Sequence, residues 1–224
     1  MLADLAGKPL VVRTWENAKK IEALDSLLVA ADDERIVTAI ESQGGEAVLT
    51  DPELPSGSDR VLAAIRDHPA ELVVNIQGDE PLLPPVAVTR AIELLQARPD
   101  LGVTTAACAL SSEESKDPNV VKVVLNSSSA AMYFSRSLIP YPRYDHREVT
   151  PLGHIGFYVF RRPVLEQFCA LKPSPLERTE GLEQLRLLEA GIAVGVVVIN
   201  TRPIGIDTAE DLELIRTQHF KEVM

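Results

Sequence analysis

Asp79 lies in Gln77-Gly78-Asp79-Glu80-Pro81, directly beyond the apolar run Leu72-Val73-Val74-Asn75-Ile76, and Asp207 lies in Gly205-Ile206-Asp207-Thr208, again beyond a strand. Carboxylates at strand ends suit a hard divalent cation. Magnesium needs only one or two of them and completes its shell with water and substrate oxygens. Each residue also has a plainer use. Asp79 and Glu80 suit an acidic loop cap, and Asp207 suits a helix N-cap with Glu210 in capping-box spacing. If Thr208 is that cap instead, Asp207 is left to face a ligand; periodicity keeps both readings open. Ser56-Gly57-Ser58-Asp59-Arg60 opens a helix with small residues. Its amides can approach an anion or a flat base closely, although serine and glycine also make ordinary caps. Arg60 adds a guanidinium one helical turn in.

The elements that must position these residues alternate along the chain. Strand signals at 27–31, 46–49, 72–76 and 103–107 are separated by helical patterns reaching to about Gln43, through Val61, Leu62 and Ile65, and from Pro85 to Ala97. Near-continuous apolar strands in such alternation predict a parallel sheet with helices on both faces. Ligands in such sheets bind beyond the carboxyl ends of the strands. From about residue 110 the pattern changes. Strand candidates at 120–125, 130–134 and 155–160 follow without long helices between them, which predicts a lateral small sheet over about 110–160. Helices at 163–171 and 179–190, a strand at 194–199 and a last helix from Thr208 complete one α/β unit spanning 1–224.

Composition narrows the function. In 224 residues, 46% hydrophobic and 25% charged content is that of a globular protein with a full core, not of a disordered chain. No apolar run approaches the roughly 18 residues that span a bilayer, and the first residues lack the pattern of a signal peptide. Membrane insertion is not expected. The 22 basic against 33 acidic residues give −11, a surface that repels nucleic acid. Cys108 and Cys169 lie in apolar surroundings and read as buried thiols in a reducing cytoplasm. The histidines at 68, 146, 154 and 219 show no zinc-like spacing.

Further segments carry a specific likeness: Gly7-Lys8-Pro9, Arg13-Thr14-Trp15-Glu16-Asn17-Ala18, the Gln77–Pro81 segment, Asp117–Val124, Tyr133-Phe134-Ser135-Arg136, Ile139-Pro140, His154-Ile155-Gly156, Pro173–Glu177, Leu182–Arg186 and Gly205–Leu212. Together, and in order over essentially the whole chain, they resemble the 3-deoxy-manno-octulosonate (KDO) cytidylyltransferases of lipopolysaccharide synthesis. The resemblance implies a Rossmann-like nucleotidyltransferase fold with a lateral dimerisation sheet, hence a homodimer. It also implies CTP and KDO as substrates, magnesium as cofactor, and CMP-KDO and pyrophosphate as products. By the same resemblance Asp79 and Asp207 hold the catalytic magnesium. Ser56, Gly57 and Arg60 lie on the cytidine side, and Gln77 belongs with the substrate contacts. Arg136, His154, Tyr158, Glu183 and Gln184 line the sugar pocket.

Physical chemistry bears on these transfers. His154 and Tyr158 are four apart on a strand and share one face. Arg136 closes a strand, and its planar fork suits a sugar carboxylate, as it also suits a structural ion pair. Glu183 and Gln184 are expected on a helix whose Leu182, Leu185 and Leu188 face the core.

Two departures from the family pattern stand out. The family opens with a strand and a glycine- and basic-residue-containing loop before the segment that Leu2–Leu10 matches, so that strand and loop are expected to be absent. Arg60 and magnesium would then hold the triphosphate alone, and the chain as it stands is expected to be nearly inactive. The alternatives are an active cytidylyltransferase with a longer start, a non-catalytic binding or dimerising subunit, and a cytidylyltransferase for a related acidic sugar. Leu54 also replaces the polar residue found two before Ser56 in many members.

Overall fold

The computed structural model describes residues 1–143, 149–201, 203–206 and 208–219. The elements run α1 (Leu10–Ala18), β1 (Leu28–Ala31), α2 (Glu34–Glu41), β2 (Glu46–Leu49), α3 (Gly57–Ala64), β3 (Leu72–Ile76), α4 (Pro85–Ala97), β4 (Val103–Ala109), β5 (Lys122–Leu125), β6 (Ala131–Ser135), β7 (Leu152–Arg161), α5 (Arg162–Ala170), α6 (Pro175–Glu180), α7 (Leu185–Glu189), β8 (Val194–Ile199) and α8 (Ala209–His219). The α/β class expected from the alternation is what the chain adopts. It divides into two compact units, one of Met1–Ala70, Ile76–Thr89 and Pro203–Met224, the other of Glu71–Asn75 and Arg90–Arg202.

In the first unit, β1 and β2 pair in parallel, Leu28 opposite Glu46 through Ala31 opposite Leu49, with α2 as the crossover. Asp33 caps α2 by accepting the Arg35 amide at 2.8 Å, so the acidic Asp32-Asp33-Glu34 run starts the helix as expected. Helix α1 was not anticipated. Pro9 occupies its N-cap, and Leu10, Val11, Thr14, Trp15 and Ala18 recur at helical spacing and are buried. Val11, Val12 and Trp15 form one core with Ala31, Ile36 and Ile40. Leu5 and Leu10 form another with Ile206 and Ile215. Each such aliphatic side chain contributes about 1.5–3 kcal/mol by burial.

In the second unit, β4 runs parallel to β8 and antiparallel to β7, and β5 lies antiparallel to both β7 and β6. With β3 beside β7, these six strands form one mixed sheet, so the strands expected at 120–134 and 155–160 are continuous with β4 and β8. The turn before β6 also returns to β8, where the Val196 amide donates to the Ser129 carbonyl at 2.9 Å. Phe134, Phe157, Phe160 and Phe168 are buried, and the rings of Phe160 and Phe168 stack with centroids 5.9 Å apart.

One helix expected over 179–190 is two. Ser174 and Glu177 form a reciprocal capping box that starts α6 at Pro175. Gly181, at φ 63°, ends it in the left-handed conformation that glycine tolerates. Glu183 therefore lies in the turn between α6 and α7, and Gln184 is the N-cap of α7. The expected placement of this pair on a helix is corrected accordingly.

Candidate functional site

The loop after β3 is held from three directions within the first unit. Thr14 and Asn17, three apart on α1, reach it side by side. The Thr14 hydroxyl donates to the Gly78 carbonyl at 2.7 Å, and the Asn17 amide donates to the Leu83 carbonyl at 2.7 Å. The Ile206 amide donates to the Asp79 carbonyl at 3.0 Å. Glu80 packs its carboxylate against Gly205, where a Cβ would stand 3.1 Å from Glu80 Oε1. Glycine at 205 therefore permits a close approach between the acidic loop and the backbone leading into α8. Asp207 lies outside the described residues. Its neighbour Thr208 is the cap of α8: the Thr208 hydroxyl accepts the Asp211 amide at 3.1 Å, and the Asp211 carboxylate accepts the Thr208 amide at 2.9 Å. The capping role that one reading gave to Asp207 with Glu210 is thus filled by Thr208 with Asp211. Asp79 and Glu80 are partly buried carboxylates on a fixed loop, a hard-oxygen donor set of the kind magnesium takes.

On the same unit, Ser56 caps α3, accepting the Asp59 amide at 3.2 Å and donating to Asp59 Oδ2 at 2.6 Å. Gly57, exposed at the first turn, lies beside the Gln77 side chain, whose amide group would be 3.4 Å from a Cβ at that position. Ser56, Gly57 and Gln77 are therefore brought together. Arg60 is turned elsewhere. Its guanidinium donates to the Thr50 hydroxyl at 2.7 Å and the Asp51 carbonyl at 3.2 Å, and pairs with Asp32 at 3.3 Å. These bonds tie α3 to the ends of β1 and β2.

The acceptor-side candidates all fall in the second unit. His154 Nε2 lies 2.9 Å from the Thr105 hydroxyl, and its ring contacts Phe134 edge-on at 5.0 Å and Tyr158 at 5.5 Å. Each residue keeps part of its surface open, but the titrating ends sit deep. Burial pulls the His154 pKa down to about 3 and pushes the Tyr158 phenol up, with the Glu183 charge adding to the second effect. Tyr158 and Glu183 are thus near neighbours electrostatically. Gln184 is buried and makes no hydrogen bond to a described residue.

Arg136 borders the same turn. Its guanidinium donates to the carbonyls of Glu180 (2.7 Å), Pro118 (3.2 Å) and Gly181 (3.4 Å). Three of its five N–H groups are therefore engaged with backbone, and one on each terminal nitrogen has no partner among the described residues.

Sequence reasoning missed the residues that support these groups. Glu180 accepts from the Ser135 hydroxyl at 2.7 Å and the Arg136 amide at 2.9 Å. Lys122, enclosed within β5, donates to the carbonyls of Asp117 (2.7 Å) and Arg136 (2.5 Å), and burial lowers its pKa. The signal for Lys122 was a lone lysine inside Val120-Val121-Lys122-Val123-Val124. The Arg186 guanidinium pairs with Glu177 at 2.5 Å, both side chains nearly covered, and locks α6 to α7 around the Gly181–Gln184 turn.

Comparison with known proteins places these residues in context. The family described as "Cytidylyltransferase" matches residues 1–198. A 3-deoxy-manno-octulosonate cytidylyltransferase of Chloroherpeton thalassium is 46% identical over 219 residues, covering 96% of this chain and 89% of its own. Its counterpart in Rhodospirillum rubrum is 44% identical over 225 residues, covering 96% and 87%. Among solved structures, CMP:2-keto-3-deoxy-manno-octonic acid synthetase complexed with CTP superposes with a TM-score of 0.94 at 37% identity, over 99% of this chain and 91% of that one. The chain belongs to the cytidylyltransferase family, among the 3-deoxy-manno-octulosonate cytidylyltransferases.

Proposed function

We propose that this protein transfers CMP from CTP to the anomeric hydroxyl of 3-deoxy-D-manno-octulosonate, giving CMP-KDO and pyrophosphate for lipopolysaccharide synthesis in the cytoplasm. The observation that carries the reading is 46% identity to a cytidylyltransferase of that specificity across 96% of the chain. The hydroxyl oxygen forms a bond to the α-phosphorus as the bond to the bridging oxygen of pyrophosphate breaks, and the hydroxyl proton leaves to solvent. Such chemistry depends on positioning and charge neutralisation more than on covalent help.

The residues divide that work. Ser56, Gly57 and Gln77 offer a small-residue approach and an amide for the cytosine side. Arg60, committed to Asp32, Thr50 and Asp51, acts by fixing the start of α3. Asp79 and Asp207 would hold magnesium, which supplies charge neutralisation at the phosphates and makes the attacking hydroxyl more acidic. The backbone bond from Ile206 to Asp79 supports that pairing. Arg136 attracts the acceptor's carboxylate with its charge and its two remaining N–H groups. Gln184 and Glu183 serve the sugar hydroxyls, and His154, neutral at working pH, takes part as a hydrogen-bonding group rather than as a base. Two copies pairing through exposed apolar side chains such as Met132 would complete a homodimer.

The test is nucleotide-resolved product analysis. CTP with KDO and magnesium should yield CMP-KDO, and ATP, GTP and UTP should yield little or none. Equal use of UTP would move the specificity away from cytosine, and a product only with another 2-keto sugar acid would replace the acceptor.

A further inference from the structure

Thr105 is fully buried in β4, and its hydroxyl oxygen has three close polar neighbours. These are the Phe157 carbonyl at 2.7 Å, His154 Nε2 at 2.9 Å and the Ile155 carbonyl at 3.1 Å. A hydroxyl has one hydrogen, and carbonyl oxygens only accept. The hydrogen therefore goes to the carbonyls, with Phe157 at the better distance. Were it directed at His154 instead, two carbonyl oxygens would face hydroxyl lone pairs inside the sheet. His154 Nε2 must accordingly be the donor to the Thr105 oxygen. In a neutral imidazole only one nitrogen carries hydrogen, so Nδ1 is left as an acceptor. Nδ1 makes no hydrogen bond to a described residue, and His154 keeps part of its surface open.

We propose that Thr105 is a positioning residue that fixes His154 as the Nε2–H tautomer, so that Nδ1 accepts a hydrogen bond from a hydroxyl of the polyhydroxylated acid acceptor. The acceptor half of this statement rests on the functional reading above; the tautomer half rests on the Thr105 geometry alone. Burial keeps the ring neutral, with a pKa of about 3, so the tautomer and not the charge decides what the ring offers. A site that accepts a hydroxyl proton discriminates against acceptors lacking that hydroxyl, because its hydrogen-bond acceptor then loses that partner.

The experiment is ring-15N NMR of the whole protein with labelled histidine, the His154 signals identified from their loss in His154→Gln. The wild type should show a pyrrole-type Nε2 and a pyridine-type Nδ1. Thr105→Ser, which keeps the hydroxyl, should preserve that signature and the acceptor KM. Thr105→Val, which keeps the shape, should lose the single-tautomer signature and raise the KM for KDO roughly five- to tenfold, the size of one hydrogen bond, with the CTP KM little changed. A pyrrole-type Nδ1 in the wild type overturns the proposal, and so does an unchanged signature in Thr105→Val. A changed signature with an unchanged KDO KM overturns the acceptor role of Nδ1. If no KDO-dependent turnover occurs in the wild type, the functional reading fails, while the wild-type spectrum still decides the tautomer.

Discussion

The Ile206 amide donates to the Asp79 carbonyl across 3.0 Å, so the acidic loop after β3 and the segment leading to Asp207 are joined backbone to backbone. The bond does not involve the Asp79 carboxylate. Altering that carboxylate should therefore leave this backbone link in place.

If Asp79 and Asp207 hold magnesium as proposed, Asp79→Asn and Asp207→Asn should each lower turnover by about two orders of magnitude or more, because each would remove one of two hard oxygen ligands. Midpoint unfolding temperatures should stay close to wild type. Near-native turnover at limiting magnesium in either variant would show that the altered carboxylate is not a ligand.

Arg136→Lys should act on both stability and acceptor binding. The lysine retains a charge but loses the fork that spans the Glu180, Gly181 and Pro118 carbonyls. Urea unfolding should register a loss of about 1–3 kcal/mol, the scale of losing charge-assisted hydrogen bonds. The KDO KM should rise far more than the CTP KM. Equal changes in both constants would assign Arg136 to the scaffold alone.

Stability should fall as the solution is acidified, in two stages. His154 has its pKa lowered by burial from 6.5 to about 3. Between those values the unfolded chain binds a proton that the folded chain refuses, so folding weakens as pH falls through that window. At 1.36 kcal/mol per unit the ceiling is about 5 kcal/mol, reduced because the residue is partly open. Glu177 adds a second stage. Burial pushes its carboxyl up, but the Arg186 guanidinium and the Ser174 amide outweigh that and hold it below 4.5. Its contribution is present above about 4.5 and is lost as pH falls through the lower folded value. Urea unfolding across pH should therefore show a slope from 6.5 downward that His154→Gln flattens. A wild type whose stability is level between pH 6.5 and 4.5 would contradict the burial of the ring.

The strands were legible because their side chains are almost all apolar. β2, β3 and β8 fall at the expected residues, and α4 runs from Pro85 to Ala97 as its periodicity and first-turn proline require. The break at Gly181 was not legible, since Leu182, Leu185 and Leu188 continue a helical rhythm through it and only the left-handed φ of one glycine interrupts it. Helix α1 was hidden for the opposite reason: within residues 7–18 the segments Gly7-Lys8-Pro9 and Arg13–Ala18 stand out for their family likeness, which draws attention away from the periodic burial of Leu10, Val11, Thr14, Trp15 and Ala18. At the site, residue type and strand-end position single out Asp79, and the family likeness singles out Arg136, His154 and Gln184, but neither points to the groups packed around them. Thr105 meets distant backbone carbonyls and the His154 ring, Lys122 donates to the carbonyls of Asp117 and Arg136, and Glu180 accepts from the Ser135 hydroxyl and the Arg136 amide, and no local pattern encodes such contacts. Arg60 shows the converse, a cation suited by type to phosphate and bound by geometry to Asp32.

Pyrophosphate release, followed continuously with CTP and magnesium and started by adding KDO, tests the central claim most directly. The account predicts release only after KDO is added, in a one-to-one ratio with KDO consumed, and strongly reduced when CTP is replaced by UTP, ATP or GTP. Release that ignores KDO, or that proceeds equally with another nucleotide, would contradict it.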